Sequence, residues 1–419
     1  MLRSMFSGVS GLTAHQLKMD VIGNNIANVN TTAFKSSSIS FQDLFSQTIK
    51  APTQPTLEGR GGTNPQQVGL GVHVGGISVL HEGGSIQSTG NPNDLAVDGD
   101  GFFVVTDGSA QYYTRAGNFQ IDGSGNLATS NGSLVLGWNL ASGETLDVTK
   151  PLEPINLANI SMPARATSEL NIAGNIDSAM EVYDSVNDEN YALCDVTIYD
   201  SLGAAHVLTF KFMKTAANEF EYEVLENDAA MSITSGSTGG AFTFDGSGKL
   251  GSATPVGLNL SFSNGAQAIS LAPADIRFDS EKFIQFANTN SVSIVNDGYS
   301  SGSLSDYGID GNGTLMGVFS NGMQRAIGAL AIAVFPNTSG LEKIGNNEYT
   351  TSWNSGGADI GLAGTGGRGT IATYSLEMSN VDLANEFTEM IIAQRGFQAN
   401  SRIITTADEM LQELVNLKR

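Results

Sequence analysis

The chain has 419 residues, with 20 Lys and Arg against 42 Asp and Glu, for a formal net charge of −22. So acidic a surface has no electrostatic attraction to nucleic acid or to anionic membrane, which excludes both as partners. An apolar content of 40% excludes wholesale disorder, and 50 glycines with only 10 prolines and no G-X-Y period exclude collagen and fit a β-rich body with many tight turns.

At about 150 residues per domain, the length suggests roughly three domains. Met1-Leu2-Arg3-Ser4-Met5-Phe6-Ser7-Gly8 breaks any apolar run before a signal-peptide core could form. The expectation is a soluble chain that, if exported, leaves without a cleaved signal. Met5, Leu12, Met19 and Ile26 then recur every seven residues, with Gly8, His15, Ile22 and Val29 at the companion position. That repeat predicts an N-terminal helix carrying a coiled-coil seam. It ends at Asn24-Asn25-Ile26-Ala27-Asn28, because Asn competes for backbone hydrogen bonds near helix ends.

Residues 36–75 are rich in Ser and Gly and carry the weakest pattern, so they are expected to run extended along another surface. Beyond them, Asn93-Asp94-Leu95-Ala96-Val97 and Gly101-Phe102-Phe103-Val104-Val105 read as strands around the turn Asp98-Gly99-Asp100. Cys194-Val196-Ile198, Leu208-Phe210-Phe212 and Phe220-Tyr222-Val224 each alternate with polar residues. They predict a three-stranded antiparallel meander that is wet on the face of Glu219, Glu221 and Glu223.

At the other end Leu383, Met390, Phe397, Ile404 and Leu411 restore the seven-residue spacing, with Phe387, Ala393 and Ala407 at neighbouring offsets. Ser379 or Asn380 is the expected N-cap. Asp382, Glu386 and Glu389 lie at the positive end of the helix dipole, and Lys418 and Arg419 at the other. Two helices with seams that neither can bury alone are expected to pair with each other, with copies of themselves, or both.

No catalytic constellation emerges. Gly364-Thr365-Gly366-Gly367-Arg368-Gly369 matches G-x-G-x-x-G but lacks the surrounding βαβ unit, and Gly298-Tyr299-Ser300-Ser301-Gly302 lacks the helix of a nucleophile elbow. The four histidines, His15, His73, His81 and His206, never stand at a metal-ligand spacing. No enzyme activity and no cofactor are expected. Cys194, the one cysteine, shares the apolar face of its strand with Val196 and Ile198 and is expected to be a buried thiol, the alternative being a covalent link between subunits.

Four segments in order carry a family resemblance: Gly23 to Lys35 (GNNIANVNTTAFK), Gln67 to Val74, Asp94 to Phe103, and Ser379 to Ser401 with its IAQRGFQANS core. Together they resemble the rod, hook and hook-associated proteins of the bacterial flagellum. One departure is Thr32-Ala33, where relatives often place glycine or proline before the aromatic residue, which bears on the bend there. The resemblance implies an α+β, mainly β fold, with antiparallel β domains nested between coiled-coil terminal helices. It divides the chain into paired inner helices at 1–32 and 376–419, an extended connecting region at 33–75 and 355–375, a middle β domain at 76–149 and 294–354, and an outer β domain at 150–293. That outer block resembles the one found in the family's hook subunits, with the distal rod as runner-up and a β-rich adhesin as a more distant alternative.

A hook subunit implies a flexible helical tube that serves as universal joint and export channel. The implied partners are further copies of itself, flagellar rod proteins, hook–filament junction proteins, the hook cap protein and the type III export apparatus. The residues expected to form the assembly interface are Met5, Leu12, Met19, Ile22, Asn24, Asn25, Ile26, Asn28, Leu383, Phe387, Met390, Phe397, Ile404 and Leu411. Some spirochaete members join a Cys to a Lys of the next subunit. No motif around Cys194 matches theirs, so its cross-linking rests only on its being the lone thiol.

Overall fold

The computed structural model describes residues 2–54, 59, 61–235 and 238–416. Met1 and the two C-terminal cations assigned to the helix dipole, Lys418 and Arg419, lie outside them. A helix stands at each end, α1 (Leu2–Ala27) and α2 (Leu383–Asn416), and the regular structure between them is nearly all strand. Two compact units share the chain. One comprises Met1–Ala158, Gly308–Met316 and Ala326–Arg419; the other comprises Asn159–Tyr307 and Gly317–Arg325. Among the described residues no helix is long and apolar enough to cross a membrane.

The helix ends follow side-chain chemistry. Asn28 closes α1 by returning its amide to the Asn24 carbonyl at 2.9 Å. Ala33, in the bend beyond, takes a left-handed φ of 56° while its N–H donates to the Glu377 carbonyl. A left-handed φ is uncommon for a residue with a Cβ, so the tertiary contact holds this bend. The start of α2 corrects the expected cap: Asp382, not Ser379 or Asn380, accepts the free N–H of Ala384 at 2.9 Å. Asn380 is committed elsewhere, its carbonyl oxygen accepting from Ser36 N–H at 2.8 Å and its amide donating to Leu80 O at 2.9 Å.

In the first unit, Phe102–Thr106 pairs with Gln111–Thr114, Leu134–Asn139 and Ile332–Val334. Its residues Phe102 to Val105 are buried on both faces, so this strand reads as an unbroken apolar run rather than an alternating one. The stretch 36–75 is not a featureless extension. Ser37–Asp43 pairs antiparallel with Val72–Val79, and Ser46–Lys50 with Gln66–Gly69, forming a narrow ribbon. The second connecting stretch is likewise strand-paired: Asp359–Gly361 joins Ile332–Val334, and Thr370–Thr373 joins Leu95–Asp98. Sequence pattern is weak where a strand's partner lies far along the chain or is mostly polar.

In the second unit the expected meander is present, as Tyr191–Tyr199, Ala205–Ala216 and Glu219–Glu226, extended by Gly239–Phe244 and Leu250–Ala253. Phe210, Phe212, Phe220, Tyr222 and Phe242 point inward and are buried, with ring centroids 5.5–6.3 Å apart. Glu219 and Glu221 face water. One pairing departs from the antiparallel expectation: Leu170–Asp177 runs parallel to Ile276–Phe286. A parallel pair needs a long crossover, and here the whole meander supplies it.

The two faces of this sheet are expected to respond differently. Phe212→Ala should destabilise the unit by about 3–5 kcal/mol, through lost burial and a cavity among rings. Glu221→Ala should change stability by less than about 0.5 kcal/mol. Thermal melting of both variants beside the native chain checks the contrast; comparable losses would mean the glutamate face is not the wet one.

Candidate functional site

The terminal helices pair with each other, antiparallel and very close. A Cβ added at Gly11 would stand 2.6 Å from Nδ2 of Asn400, and one at Gly396 would stand 2.5 Å from Nε2 of His15. Gly8 faces Ile404 in the same way. Ala14 and Ile22 of α1, with Ala393 and Ala407 of α2, are buried beside these glycines. Small residues therefore set the spacing, and the long seam residues flank it. Met5, Leu12, Met19, Ile26, Met390, Phe397, Ile404 and Leu411 are half-buried. Leu383 and Phe387 are exposed, as is Asn24; Ile22 and Asn25 are buried, and Asn28 is half-buried.

Polar contacts lock the register of the pair. Lys18 forms an ion pair with Glu389, and Asn25 donates to Oε1 of Glu386 at 2.9 Å. Asn25 also holds the chain leaving the helix, donating to Ser37 O at 2.9 Å and accepting from Ser37 N–H at 3.0 Å. Its burial gives the Asn-rich motif a positioning role beyond ending a helix. Burial, with Glu389 and Asp382 nearby, raises the Glu386 carboxyl against the hydrogen bond from Asn25.

Beneath the helices lies a buried charged knot that the sequence did not single out. Lys35 donates to Oε1 of Glu377 at 2.6 Å and to Glu82 O at 2.7 Å, and both side chains of the ion pair are shut off from solvent. Arg115 approaches the same oxygen at 3.5 Å and donates to Gly99 O at 2.8 Å. Burial lowers the Lys35 ammonium, with Glu377 opposing that shift. His81 stands edge-on to Phe102 and Tyr349 with neither ring nitrogen hydrogen-bonded to a side chain. Desolvation first, then the cations Arg115, Lys35 and Lys343, pushes it down to about 4, so it is neutral in the fold at ordinary pH.

Large apolar side chains stand among the polar ones on the outer surface of the helix pair. Phe6 is 70% exposed and Phe387 51%, and Ile391, Ile392, Ile403 and Met410 are exposed with them. The seven-residue spacing found the helices and their facing side. It missed these isoleucines and the glycine contacts, although the glycines at positions 8, 11 and 396 are unusual within helices and were the available signal. Cys194 lies on the inward side of its strand, half-buried against the core, with its thiol raised by desolvation and directed at Val292 O at 3.4 Å. Among the described residues no group of three or more His, Cys, Asp or Glu could hold a metal ion.

Four family models match the chain: "Flagella basal body rod protein" over residues 5–35, "Flagellar hook protein FlgE/F/G D1 domain" over 96–176, "Flagellar basal body protein FlaE D2 domain" over 156–299, and "Flagellar basal body rod FlgEFG protein C-terminal" over 372–417. The chain is 38% identical to the flagellar hook protein FlgE of Borreliella burgdorferi and 36% identical to that of Treponema pallidum, each over the full length of both chains. It is 33% identical to the flagellar basal-body rod protein FlgG of Bacillus subtilis, again over both full lengths. A crystal structure of the Helicobacter pylori flagellar hook protein FlgE2 aligns with a TM-score of 0.48 at 15% identity, covering 70% of this chain and all of that one.

Because His81 titrates near 4 in the folded chain against an ordinary 6.5, its contribution to stability is complete above about pH 6.5 and lost as pH falls towards 4. His81→Phe should keep the edge-on ring packing and remove that loss. The expected result is a melting temperature that falls less than the native one between pH 7 and 4.5; parallel curves would place His81 outside the acid response. Cys194 should react with thiol reagents much more slowly in the native chain than in denaturant, and equal rates would refute its burial.

Proposed function

The chain belongs to the flagellar hook protein family, and on that premise we propose that this hook subunit polymerises through its paired terminal helices into a tube. The tube acts as a universal joint between rod and filament and as a channel for export. The observation that carries this reading is the set of large apolar side chains exposed on the helix pair, Phe6 at one end and Phe387, Ile391 and Ile392 towards the other. Within the free subunit those side chains remain in water, where other copies could cover them. Other copies of the same pair would cover it, with Met5, Leu12, Met19, Met390, Phe397, Ile404 and Leu411 supplying the flanks. The acidic bodies, carrying most of the net charge of −22, keep free subunits soluble and make contacts between them weak enough to slide as the tube bends.

Rod proteins at one end, junction proteins at the other, a cap protein during growth and the type III export apparatus complete the proposed set of partners. A rod role is the second reading, favoured by the full-length similarity to the Bacillus rod protein. Against it stand the higher identities to the two spirochaete hook proteins, 38% and 36% over full length.

Phe387→Asp tests the interface. The residue is already half in water in the subunit, so the variant's melting temperature should match the native value. In the polymer an unpaired carboxylate would be enclosed at every repeat, at about 3–5 kcal/mol each, and growth should cease. Sedimentation of polymer beside melting of the subunit reads both. Normal assembly would remove α2 from the interface, and a large drop in melting temperature would place Phe387 inside the subunit fold.

A further inference from the structure

The chain has two tryptophans, and the fold treats them oppositely. Trp138 is buried in the first unit with its indole N–H donating to Lys150 O at 3.1 Å. Trp353, in the same unit, is fully exposed and makes no contact in the subunit that would account for a side chain of that size. A lone exposed apolar residue needs no explanation in general. Here the backbone beneath it does.

Trp353 projects from a turn that is hydrogen-bonded well beyond what closing a loop requires. The Ser352 hydroxyl donates to Gly340 O at 2.6 Å and accepts from Asn354 N–H at 3.1 Å. Ser355, completely buried, donates to Ser352 O at 2.9 Å and accepts from Ser352 N–H at 3.0 Å. Asn337 donates to Asn354 O at 2.9 Å. At Gly340 a Cβ would meet the Asn354 backbone at 2.9 Å, so the turn is also clamped from below. The turn abuts the strand Glu342–Gly345, whose residues are all exposed and which ends its sheet, paired only with Glu348–Thr350 among the described residues. A rigid turn beside a free sheet edge thus holds an indole out in water.

We propose that Trp353 is an anchor through which one copy of this chain docks on a neighbouring copy in the polymer. Binding hot spots are enriched in tryptophan, and a preorganised anchor loses little conformational freedom on docking. An indole of this kind buries roughly 150–250 Å². The occupant is a second copy because the family assembles as a homopolymer, so the surface in reach of this turn is the next subunit's. The contact rests on the polymer reading given above.

The native full-length chain supplies its own probe, since Trp138 is sheltered in every state. Acrylamide quenching of tryptophan emission is measured on free subunits and on sedimented polymer, with Trp353→Ala giving the Trp138 baseline. The Trp353 component should be freely quenched in the subunit and protected several-fold in the polymer. Trp353→Ala should leave the melting temperature unchanged and raise the critical concentration for polymerisation about tenfold or more, with Trp353→Phe in between. If the polymer forms and Trp353 stays fully quenchable, or Trp353→Ala polymerises at the native concentration, the anchor is refuted while the tube reading stands. If the native chain fails to polymerise at all, both fall.

Discussion

Residues 35 and 377 stand at opposite ends of the chain, and the Lys35–Glu377 ion pair ties them together out of reach of water. Removing two charges from solvent is costly, and their attraction offsets the cost only when the remaining polar groups are also satisfied. Here Glu82 O, the Gly84 N–H and Arg115 answer part of that demand, while Oε2 of Glu377 and Nε of Arg115 stay without a hydrogen-bond partner. Losing Glu377 would leave Lys35 and Arg115 buried side by side without their anion, which costs about 3–5 kcal/mol in comparable sites. The helix pair adjoins this closure: α1 leaves through Asn25 and Ser37, and α2 enters through Asn380 and Asp382, all within about ten residues of the knot.

The helix pair itself has an unusual division of labour. Gly8, Gly11 and Gly396 bring the backbones together, so the contact inside the subunit needs little apolar area. That leaves the larger side chains, Phe6, Phe387, Ile391 and Ile392, free for contact with other copies. Glycine inside a helix costs about 0.5–1 kcal/mol relative to alanine, and isolated helices are marginal in any case. A helix pair held by small residues and a few polar locks is therefore suited to a subunit that completes its packing only on assembly.

The β bodies follow the opposite rule. In the second unit the rings of Phe210, Phe212, Phe220, Tyr222 and Phe242 fill a core that is complete within the subunit. The first unit achieves the same with Phe102, Val104, Tyr113, Trp138 and Tyr349. Their acidic exteriors need no partner. The helices leave large apolar side chains such as Phe6 and Phe387 in water, and the β bodies also expose some singly, Trp353 among them.

What the sequence determined alone was whatever depends on near neighbours. The seven-residue spacing of Met5 to Ile26 and Leu383 to Leu411 marked both helices, and the alternation through 194–224 marked the meander with its wet and dry faces. The motifs around Asn25 and Gln394 carried the family. The tertiary structure decided what depends on residues far apart. It made strands of 37–79 and 359–377, whose partners lie up to about 290 residues away. It set Leu170–Asp177 parallel to Ile276–Phe286 and moved the cap of α2 to Asp382 because Asn380 was engaged by Ser36. It gathered Lys35, His81, Arg115 and Glu377 into one buried cluster. Local pattern records which face of an element is apolar; which distant element covers that face, and which charges become enclosed when it does, is settled only when the chain closes on itself.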